Sequence, residues 1–247
     1  MIDFKNISQA ELRQLCEKEY YSKSQQRMHY LMLYATRPLL KTNITPNQIS
    51  TFWVILQLVA STFMVVGSYW GNIIGILLYT LAMLLDYVDG QIARIKKIST
   101  YKGIFLEELG LYFGNPIFFL CLGIGTARAF GNYWYFILGV ISCIAQLYSK
   151  LAVVNPDSYK KTEFREKILE IKSTLTMRST KRKRLDWVFF LFRRSQPLNF
   201  LFVGLLFNIP QVVLIVYTLL FILDLTRKLY EQLRMLYKLD KELLLQK

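Results

Sequence analysis

The sequence predicts an all-α, polytopic membrane protein: six transmembrane helices preceded by an N-terminal interfacial amphipathic helix. Three observations carry this prediction. The 247-residue chain is 53% hydrophobic, and its apolar runs are long enough to span a bilayer. Those runs alternate with short connections, as in a polytopic protein, and the basic residues gather on alternate connections. A net charge of +14 in a soluble chain would point to nucleic acid. Here the charge lies between apolar spans, so the membrane is the expected partner and nucleic acid is not.

Met1 to Lys23 is polar and charged, with no apolar core ahead of a small-residue cleavage site, so insertion is expected to rely on internal spans. From Gln9 to Leu40 charge mixes with aromatics, which predicts a helix partly in the interface with Arg27 and Arg37 facing headgroups. His29 reads as an interfacial residue of this region, and residues 1–47 form a cytoplasmic or interfacial unit. Thr45 followed by Pro46 is a strong helix start.

Spans are predicted near 48–67, 72–94, 103–127, 133–153, 187–207 and 211–230, making residues 48–230 a transmembrane domain. The connections after the first, third and fifth spans hold one basic residue, Arg128. The other side collects the N-terminal region, Arg94 to Lys97, the basic stretch 160–184 and the tail, which puts both termini in the cytoplasm. Residues 159–184 read either as a helix on the anionic leaflet or as an orientation determinant. The fifth span contains Arg193 and Arg194, so it either starts near Pro197 or lines a wet cavity. Residues 231–247 form a cytoplasmic helical tail, which either packs on a second copy or ends in solvent. Cys16, Cys121 and Cys143 lack metal-ligand spacing and read as free thiols. With one histidine in the chain, a metal here must be held by oxygen.

The chemistry concentrates between Asp86 and Leu111. On a helix, Asp86, Asp89 and Ala93 share one face, Gly90 allows close approach of a ligand, and Arg94 lies one turn beyond Gly90. On the next helix Gly103, Glu107 and Leu111 repeat at four. A connection of eight residues between Arg94 and Gly103 makes the two helices antiparallel neighbours with converging acidic faces. Intramembrane carboxylates are costly and mark functional sites. Three of them with a diphosphate supply the oxygen ligands that Mg²⁺ or Mn²⁺ favours. The alternative is that the two Asp side chains pair with Arg94, Lys96 and Lys97 at a helix end.

The set Asp86-x2-Asp89-Gly90-x2-Ala93-Arg94-x8-Gly103 resembles the signature of the CDP-alcohol phosphotransferase family, with likeness extending over roughly residues 40–230. The resemblance implies transfer of a phospho-alcohol from a CDP-alcohol donor to an alcohol or lipid acceptor, with release of CMP. It implies a cytoplasm-facing cavity, a divalent metal and a homodimer. It makes Asp86, Asp89 and Glu107 metal ligands, and assigns Gly90, Ala93, Arg94 and Gly103 to the cytidine diphosphate. Asn47 and Ser50 are further donor contacts, or plain capping residues. The family pattern asks for Asp at 107 and at 111. Glu107 keeps the charge on a longer arm; Leu111 can neither ligate metal nor take the acceptor's proton. Glu108 points about 100° away from Glu107 on a helix. Tyr112, Asp157 and Asp224 are the other bases weighed. Three outcomes remain: the enzyme works slowly or with another base, the acceptor is acidic enough to need none, or the protein binds a nucleotide without turnover. Lys150, Arg193 and Arg194 are the candidates for an acceptor anion pocket, or else they snorkel to the interface.

Overall fold

A computed structural model describes residues 9–16, 23–98, 100–151 and 200–245. Among the described residues every regular element is helical. The helices are α1 (Gln9–Leu15), α2 (Lys23–Leu40), α3 (Pro46–Val65), α4 (Tyr69–Lys96), α5 (Tyr101–Leu109), a π-turn (Gly110–Gly114), α6 (Asn115–Phe130), α7 (Trp134–Leu151), α8 (Phe200–Leu206) and α9 (Pro210–Leu245). Among the described residues three stretches are long and apolar enough to cross a membrane: α3, α4 and the continuous run Tyr101–Phe130, with α7 a shorter apolar helix. Of the fifth expected span, only α8 lies within the described residues; Arg193, Arg194, Asp157 and the 159–184 stretch lie outside them.

Local chemistry sets the helix ends that matter here. Thr45 caps α3 through a reciprocal box, its hydroxyl accepting from the Gln48 amide while Gln48 Oε1 accepts from the Thr45 amide, and Pro46 supplies a first residue preset for helix. Ser68 caps α4 by accepting from the Gly71 amide. At its other end Lys97 turns left-handed and closes the last carbonyls of the helix. The connection to α5 is thereby four residues, shorter than the eight expected, because both helices wind further than the motif spacing alone suggests.

α3 packs along α4 and α6, α6 along α7, and α7 along α9. The α3–α6 contact is backbone on backbone. A β-carbon added at Gly125 would overlap the Met64 carbonyl, and one at Gly67 would overlap the Gly125 carbonyl. Close approach through small residues is how apolar helices associate where the lipid is as apolar as the side chains. Beside it, Met64, Tyr79, Phe118, Phe119, Tyr217 and Phe221 build a buried core in which the aromatic rings meet at tilted and edge-on angles.

A second buried cluster joins Leu12, Cys16, Leu33 and Leu40 of the N-terminal segment to Val88, Ile92 and Ile95 of α4. The apolar face of α2 therefore lies against the bundle. His29 corrects the expectation of an interfacial residue, since it is 2% exposed. Its Nδ1 accepts from Gln91 Nε2 at 3.1 Å, and its Nε2 donates to the Cys16 carbonyl at 3.2 Å. Gln91 also donates to the His29 carbonyl at 2.7 Å and accepts from the Thr36 hydroxyl at 2.5 Å. The amphipathic pattern of α2 carried no sign of a polar partner on another helix, which is why the sequence placed His29 outside. Gln91→Leu is expected to cost about 1–3 kcal/mol by stranding buried polar groups. Lowered thermal stability and faster proteolytic release of the first 40 or so residues would register it; an unchanged melting curve would count against the network. The three cysteines are free, and burial pushes the Cys16 thiol up from its ordinary pKa.

Candidate active site

Asp86, Asp89, Gly90, Ala93 and Arg94 all lie on α4, near the end where α3 begins and α5 starts. Asp89 is fixed. Its Oδ2 accepts from the Ser50 hydroxyl at 2.7 Å and from the Trp53 indole Nε1–H at 2.8 Å. Ser50 and Trp53 are one turn apart on α3, so they present both donors from a single helix face. Sequence reasoning weighed Ser50 as a donor contact and missed Trp53. The i, i+3 pairing of two donors on a helix facing the signature was the available sign.

Asp86 stands one turn before Asp89 and within electrostatic reach of Asp89, Glu107 and Arg94. Glu107, on α5, is exposed. Among the described residues neither aspartate makes an ion pair with Arg94, Lys96 or Lys97, although Arg94 acts on Asp86 through space. Lys96 Nζ instead donates to the Ile44 carbonyl at 3.2 Å. The Arg94 guanidinium lies over Gly90, where an added β-carbon would sit 3.5 Å from one of its terminal nitrogens, and its buried Nε has no hydrogen-bond partner. A β-carbon at Gly90 would thus meet the guanidinium at ordinary van der Waals distance.

Asn47 and Gly103 come together. The Thr100 hydroxyl donates to Asn47 Oδ1 at 2.9 Å and accepts from the Gly103 amide at 3.0 Å. Thr45, not Asn47, caps α3, so Asn47 is tied across to α5 instead. Leu111 lies in the π-turn, which the four-residue spacing did not foresee. A π-turn shifts the register of the residues after it and often marks functional sites. Here its walls are plain. A β-carbon at Gly110 would overlap the Trp53 ring, and one at Gly114 would overlap the Gln57 amide. Tyr112 is engaged with Glu108 one turn back. Asp224 accepts from Ser149 and pairs with Lys228 at 2.8 Å, so it is committed to the α7–α9 contact. Lys150 is the penultimate residue of α7.

As the side chains stand, no three His, Cys, Asp or Glu among the described residues converge tightly enough to hold a metal ion. The donors fit a hard divalent cation in kind, being carboxylate oxygens on two adjoining helices, with Asp89 oriented in advance. They do not form a ready-made cage.

Fold and site together define an integral membrane protein, helical throughout the regular elements of its described residues, with a carboxylate- and arginine-bearing site where α3, α4 and α5 meet. The family model for CDP-alcohol phosphatidyltransferase matches residues 43–181, more than half of the chain, and the protein belongs to that family. It is a family of transferases acting in phospholipid synthesis, and the match contains every residue of the site just described. No curated protein matches the chain.

Proposed function

We propose that this protein is a metal-dependent phosphotransferase that moves a phospho-alcohol group from a CDP-alcohol to an acceptor alcohol, releasing CMP, at the cytoplasmic face of a membrane. The observation that carries this is the α4 face, where Asp89 is held by two donors beside Asp86 and the Arg94 guanidinium lies over Gly90. In the reaction the acceptor oxygen bonds to the phosphorus that carries the donor alcohol. The bond from that phosphorus to the oxygen bridging to CMP breaks, and CMP departs with the electron pair. Arg94 would bind the diphosphate through its guanidinium. Asn47 and Gly103, tied together through Thr100, would border the nucleotide with Gly90 and Ala93. Asp86, Asp89 and Glu107 would hold Mg²⁺ or Mn²⁺, which supplies charge neutralisation at the departing phosphate.

The proton of the acceptor is the open step, because Leu111 cannot take it. Lys150, Arg193 and Arg194 remain the proposed anion pocket for a phosphorylated acceptor. Six spans, cytoplasmic termini and a homodimer complete the reading, supported by the sided distribution of basic residues and the family's architecture. Leu111 also favours a second reading, a relative that binds CDP-alcohol or a protein partner without turnover.

The test is CMP release from a panel of CDP-alcohols with Mg²⁺ or Mn²⁺, using detergent-purified protein and mixed lipid acceptors. Slow release is expected from the wild type. Leu111→Asp is expected to raise it at least about tenfold, since a positioned base contributes roughly 10²–10⁴. CDP binding with no CMP from either protein would establish the second reading. Good wild-type turnover that Leu111→Asp leaves unchanged would show that another group takes the proton.

A further inference from the structure

We propose that Trp53 is a positioning residue for Asp89, acting through its indole N–H to aim the carboxylate at its ligand. This role rests on the metal-dependent reading of the site. Both donors to Asp89 reach the same oxygen, Oδ2, and leave Oδ1 without a side-chain donor among the described residues. A carboxylate fixed this way cannot rotate to exchange its two oxygens. The two donors are not equal. Ser50 has one hydroxyl proton and a second acceptor, the Pro46 carbonyl at 3.1 Å, so its bond to Asp89 can be diverted. The indole has one N–H and no acceptor role, and Asp89 is its acceptor. Trp53 is 3% exposed, so breaking the bond would bury an unsatisfied donor.

The ring itself is held in place. Gly110 leaves no room for a β-carbon against it, so the start of the π-turn serves as the wall that keeps the indole on Asp89. That wall adjoins Leu111, which links the altered end of the motif to the intact one through a single side chain. Partners that orient metal ligands typically account for about 10–100-fold in metal affinity.

The experiment is Mn²⁺ titration followed by electron paramagnetic resonance on the full-length, detergent-purified wild type, Trp53→Phe, Ser50→Ala and Gly110→Ala, with melting curves for each. Phenylalanine keeps an aromatic ring and removes the N–H. Trp53→Phe is expected to fold with a modestly lowered melting temperature, from the lost buried ring volume, and to weaken Mn²⁺ binding by about 10–100-fold. Gly110→Ala, which touches no carboxylate, is expected to weaken it likewise by displacing the ring, and Ser50→Ala less than either. Wild-type affinity in a folded Trp53→Phe would overturn the role of Trp53 while leaving the metal site standing. A wild type that binds no Mn²⁺ would overturn both. Should Trp53→Phe fail to fold, the Trp53 indole ¹⁵N–¹H resonance decides: it must move in Asp89→Asn without metal, and a stationary signal overturns the proposal.

Discussion

Asp89→Asn is expected to reduce CMP release by about 10²–10³-fold, corresponding to several kcal/mol of lost charge stabilisation. The fold should survive the change. The asparagine carbonyl can accept from Ser50 and Trp53 as Asp89 Oδ2 does, so both hydrogen bonds are replaced rather than broken. What changes is the other atom, which becomes an N–H₂ where the aspartate offers an oxygen. An amide nitrogen is a donor and cannot ligate a hard cation. Activity and Mn²⁺ affinity should therefore fall together while the melting temperature stays close to wild type. Retained activity in Asp89→Asn would remove the metal role of this residue. A matching collapse in stability would reassign it to structure.

Gly125→Leu is expected to produce the largest loss of stability. The position faces the Met64 carbonyl across the α3–α6 contact, and backbone cannot move aside as a side chain can. Overpacking of this kind costs about 1–3 kcal/mol for extra methylenes in a core, with more where the obstacle is main chain. For a chain of this size a loss of about 3 kcal/mol corresponds to a drop of roughly 6–12 °C in melting temperature. The consequence reaches the site, because α3 carries Ser50 and Trp53 and α6 continues from the π-turn. A displaced α3 should weaken Mn²⁺ binding as well, by misplacing both donors to Asp89. A Gly125→Leu protein that melts with wild type would show that the two helices are free to separate.

How far the site was legible depends on which contacts are local. Asp86, Asp89, Gly90, Ala93 and Arg94 could be placed together from spacing alone, since helical periodicity fixes the faces of one helix whatever surrounds it. The same logic placed Glu107 on the adjoining helix, and the structure puts it within electrostatic reach of Asp86. It failed at Leu111 in one respect: a π-turn is not written in a repeat of four. It failed at His29 because an amphipathic pattern says that one face is apolar, not what the face meets. Asn47 was weighed as a cap, yet Thr45 with Gln48 already filled that role, leaving Asn47 to reach Thr100 beside another helix.

The sequence by itself determined the helical class, the long apolar helices, and the order of charges along α4. Those are properties of single segments, set by hydrophobic length and the 3.6-residue repeat. Only the tertiary structure decided that Trp53 and Ser50 hold Asp89, that Gly110 holds Trp53, and that Gln91 binds His29 inside the bundle. Such contacts depend on the rotation and offset of one helix against its neighbour. Those are fixed by packing of the glycine contacts and the aromatic core, over distances that no local spacing encodes.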